Sequence, residues 1–226
     1  IAACLQDYKR AVIVGGEPTF GKGTVQRFIN FDRLPGNDQF KPLGDMKITI
    51  QKYYRVNGGS VQLKGVEPDV ILPDIYSEID NGEKEYEHPM PYDVIDKKEV
   101  NQNTYVISNI EEIKAKSKQR IKSDSTFTLI TEQAKKLKEM RDQTVYSLNF
   151  NTYKSTMDKR KEEAKKFDKI GTGELPDLKS SNIKEDMAYI NVDSSRIGRN
   201  EDFLKNIRKD LQIYESVRIL KDVQKK

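Results

Sequence analysis

The first third of the chain alternates short apolar runs with glycine and proline, a pattern typical of strands joined by tight turns. Residues 46–56 alternate apolar and polar side chains, and Asn57-Gly58 can adopt positive φ angles, so residues 46–63 are predicted to form a β-hairpin. The other predicted elements are a helix over 1–8, a buried strand over 10–14, a strand over 24–31, and a short edge strand within 65–73 between two prolines.

After about residue 91 the chain becomes richer in charge and poorer in glycine, and its apolar residues take helical spacing. Residues 77–100 lack periodicity and are predicted to form an extended connection. The predicted helices cover 103–121, 124–146, 152–167 and 202–223, with a cap at residues 123–125 and a loop over 171–186. The sequence thus predicts an α+β fold in three segments: a strand-containing domain over 1–76, a linker over 77–100, and a highly charged, mostly helical domain over 101–226.

Charge and rare residue types exclude several classes of chemistry. The 226 residues carry 40 Lys and Arg against 36 Asp and Glu, so the net charge of +4 is small and does not favour nucleic acid as a partner. No apolar run approaches the ~20 residues of a membrane-spanning helix. One cysteine excludes an intrachain disulfide, and one cysteine with one histidine cannot supply the ligands of a structural zinc site. The only histidine, His88, lies in a non-periodic stretch, so a Ser/His/Asp triad is not expected. Cys4 is predicted to be buried on a helix and His88 to be solvated, and no metal or cofactor is expected.

The most unusual stretch is a lysine between two glycines, Gly21-Lys22-Gly23, shortly after a predicted strand. Glycines permit the close approach of another chain segment, so Lys22 can project from a tight turn into a cleft. If the next residues form one helical turn, the amide of Gln26 lies on the same face and can orient the amine. A lysine in a desolvated pocket can act as a neutral base toward a serine hydroxyl. The spacing alone, however, favours a surface turn at Lys22 and a plain strand residue at Gln26.

A phosphate-binding loop is a second interpretation of the same stretch, because Gly16 and Gly21-Lys22 reproduce most of its pattern. Three features disfavour this interpretation. Gly23 replaces the Ser or Thr that binds magnesium, Pro18 removes an amide donor, and a strand rather than a helix N-terminus follows. Nucleotide binding is therefore not expected.

Three blocks in the same order resemble the end of the protease domain in the carboxy-terminal processing peptidases, and in particular the tail-specific protease branch. The blocks are residues 16–26, 50–60 and 64–73, and a charged helical extension typical of that branch follows them. The resemblance implies that Lys22 is the general base of a Ser/Lys pair and that Gln26 positions it. It also implies a serine endopeptidase without a cofactor, protein substrates with apolar C-terminal tails, and a location in the bacterial periplasm or cell envelope.

The same resemblance implies a nucleophilic serine at the start of the helix that precedes the strand leading to Lys22. Residues 1–21 contain no serine, and Ser60, in a predicted turn, is the first serine in the chain. The nucleophile is therefore expected a few residues before Ile1 in the parent protein, and the oxyanion-hole donors and a PDZ module are expected further upstream. The 226-residue chain alone is expected to hydrolyse nothing.

The charged helices leave a non-enzymatic alternative open. Basic residues within 114–122 and 159–166 lie close to glutamates, which is typical of solvated helix faces. These faces can also bind an adaptor protein or the N-terminal part of the parent protein. In this alternative the helical half is a protein-interaction module, the first 75 residues are a scaffold, and Lys22 is dispensable.

Overall fold

The computed structural model describes residues 1–36, 38–99 and 106–224. The chain divides into two compact units. The first comprises Ile1–Ile13, Glu17–Asp69 and Asp80–Ile107, and the second comprises Val14–Gly16, Val70–Ile79 and Ser108–Lys226. The predicted α+β fold, with strands in the first part and a mostly helical remainder, is confirmed. The domain boundaries at residues 76 and 100 stay a prediction, and the start of the helix predicted at residue 103 lies outside the described residues.

The first unit contains helix α1 (Ala2–Asp7) and an antiparallel ribbon of strands β2 (Thr24–Asn30) and β3 (Asp45–Lys52). The predicted helix over 1–8 and the predicted strand over 24–31 are both confirmed. Its buried residues other than glycine, among those described, are the apolar Val61, Val66 and Ile107 and the polar Thr24, Ser60, Gln62 and Glu83. Because buried polar groups need partners, so polar an interior indicates a hydrogen-bonded site rather than a simple apolar core.

The pairing of β3 differs from the prediction. The predicted turn at Asn57-Gly58 forms, but the residues on its two sides pair through an isolated antiparallel bridge between Tyr54 and Ser60 instead of a β-ladder. β3 pairs instead with β2 along its length. Leu63 adopts a positive φ of 63°, which a β-strand does not tolerate, so the expected return strand over 60–63 does not form.

Two short parallel strands belong to the second unit. Strand β4 (Val70–Ile71) is the strand predicted between two prolines, and it pairs with β1 (Val14–Gly15). The buried strand predicted over 10–14 is wrong in extent and burial, because β1 has two residues and is half-buried. Within the described residues β4 is its only neighbouring strand, so one edge of β1 stays uncovered.

Six helices form the rest of the described second unit: α2 (Ile110–Ser123), α3 (Ser125–Asp142), α4 (Phe150–Ala164), α5 (Lys184–Ile190), α6 (Ser194–Ile207) and α7 (Leu211–Gln224). The prediction of a single helix over 202–223 is wrong, because these residues are divided between α6 and α7. Asp210 causes the division: its Oδ1 accepts hydrogen bonds from the backbone N–H groups of Gln212 and Ile213 at 2.8 and 2.9 Å, and so caps a new helix. The loop predicted over 171–186 ends earlier than expected, where α5 begins.

The predicted cap of the second long helix is confirmed, since Asp124 Oδ1 accepts a hydrogen bond from Thr126 N at 2.7 Å. The helix ends at Asp142 rather than at residue 146. Thr144 and Val145 are β-branched and lose side-chain freedom in a helix, and Val145 is 80% exposed, so no apolar contact offsets that loss.

The interior of the second unit combines an apolar cluster with one buried ionic network. The buried apolar residues on its helices are Ile113, Phe127, Ile130, Ala134 and Ile219. Beside them the Glu215 carboxylate on α7 accepts hydrogen bonds from Ser117 and Arg120 on α2. This network joins the two helices. None of the helices in the described ranges has the length and apolar character needed to span a membrane.

Candidate active site

Lys22 lies in a loop of the first unit that ends where β2 begins, and the flanking glycines are required by close packing. Gly21 has a φ of 85°, and its carbonyl accepts a hydrogen bond from Leu63 N at 2.7 Å. A Cβ on Gly23 would lie 2.7 Å from Ser60 Oγ and 2.9 Å from Gln62 N. The expectation that these glycines allow a second segment to approach the lysine loop is therefore confirmed.

A single methyl group at Gly23 tests this packing. Gly23→Ala is expected to lower the free energy of unfolding by about 1–3 kcal/mol, because the Cβ overlaps buried atoms that cannot move away freely. Urea unfolding followed by tyrosine fluorescence measures the change. Gly173→Ala is the control, since a Cβ there meets nothing within 4 Å. Equal unfolding midpoints for the two variants would show that the contact at Gly23 relaxes without cost.

The backbone around Lys22 is held from both sides. The hydroxyl of Tyr53 donates a hydrogen bond to the Lys22 carbonyl, and Tyr53 N donates to the Gly23 carbonyl at 3.1 Å. On the opposite side Gly23 N donates to Gln62 Oε1 at 2.8 Å. These three hydrogen bonds fix the two peptide groups that follow the Lys22 Cα, and the bond from Leu63 N to Gly21 O fixes the one that precedes it, which restricts where the side chain can reach.

The amine of Lys22 pairs with a carboxylate that the sequence did not indicate. Lys22 Nζ lies 3.5 Å from Glu83 Oε1, and the side chains are 35% and 7% exposed, respectively. Gln62 Nε2 also approaches Glu83 Oε1 at 3.5 Å and donates to Met90 O at 3.0 Å. Sequence analysis missed Gln62 and Glu83, because one follows a predicted turn and the other lies in a charged, non-periodic stretch. No local signal marks either of them as buried.

The stretch that carries Glu83 is fixed on the same unit at several points. Glu83 N donates a hydrogen bond to Phe20 O at 2.8 Å. Further along, Asp93 accepts hydrogen bonds from Lys52 Nζ at 2.7 Å and from the Tyr54 hydroxyl at 3.0 Å. The hydrogen bond from Lys52 holds the pKa of the Asp93 carboxyl below its ordinary value, so the tie stays ionic at neutral pH.

Gln26 does not take the position that a helical turn would give it. Residues from Thr24 onward form strand β2, in which Gln26 pairs across the ribbon with Thr49 next to a register shift. Among the described residues the ion-pair partner of Lys22 is Glu83, and no hydrogen bond joins Gln26 to the amine. The role of Gln26 as the residue that positions Lys22 stays a prediction.

The face of α1 toward the unit is polar. Arg55 bonds Asp7, whose side chain is 8% exposed, and the hydrogen bond to Asp7 raises the pKa of the Arg55 guanidinium. Gln6 Nε2 also donates to Glu67 O at 2.9 Å. Cys4 lies two residues before Gln6, on the opposite side of the helix, and it is exposed. The prediction of a buried Cys4 is therefore wrong, because α1 faces the unit with its polar residues.

The remaining candidate residues have no catalytic geometry. Ser60 is buried, and its Oγ accepts a hydrogen bond from Gln62 N at 3.0 Å within the turn. His88 has a side chain that is 89% exposed, as predicted. In the parts of the chain that the structure describes, no group of three or more His, Cys, Asp or Glu side chains could hold a metal ion.

Comparison with known proteins assigns the chain to a family. A family model described as peptidase family S41 matches residues 1–72, and one described as the C-terminal domain of tail specific protease matches residues 76–225. The tail-specific protease of Haemophilus influenzae is 39% identical over 161 residues, which cover 70% of this chain and 23% of that protein. The carboxy-terminal-processing protease of Bartonella bacilliformis is 36% identical over 87 residues, covering 35% of this chain and 17% of that protein.

The matched residues therefore span less than a quarter of the length of these two relatives. The Lys22 loop, Tyr53 and Gln62 fall in the segment that matches the peptidase family, whereas Glu83 falls in the segment that matches the C-terminal domain. The chain belongs to the S41 family of serine peptidases, as the C-terminal part of the peptidase together with the tail-specific protease C-terminal domain.

Proposed function

We propose that the parent protein is a serine endopeptidase in which Lys22 is the general base of a Ser/Lys dyad and Gln26 positions it. The observation that carries this proposal is the placement of Lys22. Its backbone is fixed on both sides, while its amine is partly exposed within the segment that matches the peptidase family. A base must be held in place and must still be reached by the group that it deprotonates.

In this proposal Lys22 Nζ takes the proton of a serine hydroxyl while the serine oxygen attacks the peptide carbonyl. The resulting ammonium gives the proton to the leaving amine, and an acyl-enzyme remains. The same amine then deprotonates a water molecule, which hydrolyses the acyl-enzyme. The proposed chemistry uses neither a metal nor a cofactor.

The serine of this dyad is not Ser60, which is 6% exposed and cannot be approached by a peptide carbonyl. Residues 1–21 offer no serine. The resemblance to the carboxy-terminal processing peptidases implies a nucleophile ahead of the strand that leads to Lys22, and on that ground we propose that the nucleophile, the oxyanion-hole donors and a PDZ module lie in regions of the parent protein outside these 226 residues. The 226-residue chain alone is then inactive, because a base without its nucleophile hydrolyses nothing.

Substrates follow from the relatives. One relative is named a tail-specific protease and the other a carboxy-terminal-processing protease. We propose protein substrates that are recognised through apolar C-terminal tails, in the bacterial periplasm or cell envelope. The charged helical part is proposed to offer a surface to an adaptor.

A reagent that modifies activated serines tests the proposal. The parent protein is treated with a fluorophosphonate and then given an unfolded protein that ends in either an apolar or a charged tail. We expect mass spectrometry to locate one modified serine. Before modification, the protein should cleave the apolar-tailed substrate faster than the charged-tailed one. Cleavage that continues after complete modification contradicts the serine mechanism. Cleavage by the 226-residue chain alone contradicts the placement of the nucleophile.

The non-enzymatic alternative has one supporting observation, the exposed apolar side chains on and beside α4. Leu148, Phe150 and Tyr153 are 103%, 72% and 44% exposed, and a binding module would present such residues to a partner. If the parent protein binds apolar tails but leaves them uncleaved, this alternative replaces the peptidase proposal.

A further inference from the structure

The Glu83 carboxylate contacts Lys22 rather than the stretch of chain around Glu83 itself. The segment is already tied to the loop through the backbone, by the bond from Glu83 N to Phe20 O. The side-chain partners of Glu83 are Lys22 at 3.5 Å and Gln62 at 3.5 Å, and both belong to the lysine site. The carboxylate is therefore not needed to anchor its own stretch of chain.

The second carboxylate oxygen of Glu83 is unusual. Oε2 is buried and has no hydrogen-bond partner among the described residues. Burial of an unpaired charged oxygen is unfavourable, and a carboxylate that only supports a fold normally has both oxygens bonded. Asp93 Oδ1, in the tie to Lys52, is a second buried oxygen without a partner among the described residues, so the case for Glu83 rests on its contact with Lys22.

From these contacts we propose that Glu83 is a positioning residue for Lys22, so that the C-terminal-domain segment contributes a side chain to the peptidase centre. This inference rests on the proposed function. When Nζ takes the serine proton, a positive charge forms 3.5 Å from a carboxylate that is already in place. When the step starts from the neutral amine, such a preorganised opposite charge stabilises the ammonium that forms, as the aspartate stabilises the imidazolium of a Ser/His/Asp triad.

Gln62 completes this arrangement by holding both partners. Its Oε1 accepts from Gly23 N, the residue after Lys22, and its Nε2 approaches Glu83. One amide side chain, 2% exposed, thus links the backbone next to Lys22 to the Glu83 carboxylate.

The test uses the parent protein with Glu83→Gln, Glu83→Asp, Lys22→Ala and the matched control Glu85→Gln. Glu85 lies two residues further along the same 3₁₀ turn, and its side chain is 46% exposed. A peptide substrate gives kcat and KM, and thermal unfolding reports folding. We expect Glu83→Gln to lower kcat about 10- to 100-fold with KM unchanged, less than removing a group that faces the reacting atoms. Glu83→Asp should lie between Glu83→Gln and wild type, and Glu85→Gln should match wild type.

The outcomes separate this inference from the peptidase proposal. Wild-type kcat in Glu83→Gln, with Lys22→Ala inactive, overturns the role of Glu83 and leaves the peptidase proposal intact. Activity in Lys22→Ala overturns the peptidase proposal itself. If Glu83→Gln does not fold, Glu83→Asp decides: a lower kcat at unchanged KM supports the inference, because aspartate keeps the charge but does not reach Nζ, and wild-type kcat overturns it.

Discussion

Lys22→Met in the parent protein is expected to lower kcat/KM for peptide hydrolysis by about 10³-fold or more, because the base of the proposed dyad is lost. Methionine keeps the unbranched side chain and its packing, so the loop should stay folded. The loop is held by the backbone groups of residues 21–23 and not by the amine. Steady-state kinetics with a peptide substrate measures the loss, and thermal unfolding confirms that the protein is native.

Two further variants at and near this position separate the base from the charge. Lys22→Arg keeps a positive partner for Glu83 but cannot be deprotonated, so it should be as inactive as Lys22→Met. Lys64→Met is the control, because Lys64 lies on the neighbouring segment with its Nζ 4.0 Å from the ring centroid of Tyr92. Substantial activity in Lys22→Arg would mean that Lys22 acts through its charge alone and would contradict the role of a general base.

The second large effect is expected on stability, at Glu215 in the second unit. Glu215→Ala should lower the free energy of unfolding of the helical unit by about 3–5 kcal/mol, because it removes a buried carboxylate and leaves the half-buried guanidinium of Arg120 without its main partner. Arg120 Nε and Nη2 donate to Glu215 Oε1 at 2.8 and 2.6 Å, and the Glu215 side chain is 1% exposed. Ser117 Oγ donates to the same oxygen at 2.7 Å and also loses its acceptor.

Urea unfolding of the 226-residue chain, followed by helical circular dichroism, measures this effect. Glu162→Gln is the control, because Glu162 pairs with Lys165 at the surface of the same unit, where an ion pair contributes about 0–1 kcal/mol. Asp222 remains bonded to Arg120 at 2.7 Å in Glu215→Ala. If Asp222 alone satisfies Arg120, the two variants will unfold at similar urea concentrations and the expected loss is wrong.

The sequence predicts elements well where a local signal decides them. Strand β2 follows from an interrupted alternation of apolar and polar residues, β4 from its two flanking prolines, and the start of α3 from the Asp124 cap. It predicts them poorly where a distant partner or a single polar residue decides. Asp210 divides an otherwise continuous helical pattern, and β3 pairs with β2 rather than with the segment after the nearest turn.

The candidate site shows the same limit. Lys22 was found because glycines on both sides are a local pattern, and their close packing bears out the reason for choosing it. Glu83 lies 61 residues from Lys22. The burial of Glu83 depends on contacts with Phe20 and Gln62, and the pattern of apolar and polar residues around Glu83 indicates neither contact. Sequence analysis thus identified Lys22, which has a local motif, and missed Glu83, which only the fold brings close to Lys22.

The three hydrogen bonds around Lys22 also determine when the site can form during synthesis. The loop that carries the amine leaves the ribosome before the residues that hold it, because these bonds come from Tyr53 and Gln62, and Gln62 is itself fixed by Met90. Contacts so far apart in sequence form only after the intervening chain has been made and closed into loops. A nascent chain that ends before residue 90 therefore contains Lys22 without all the contacts that hold the lysine loop in the folded protein.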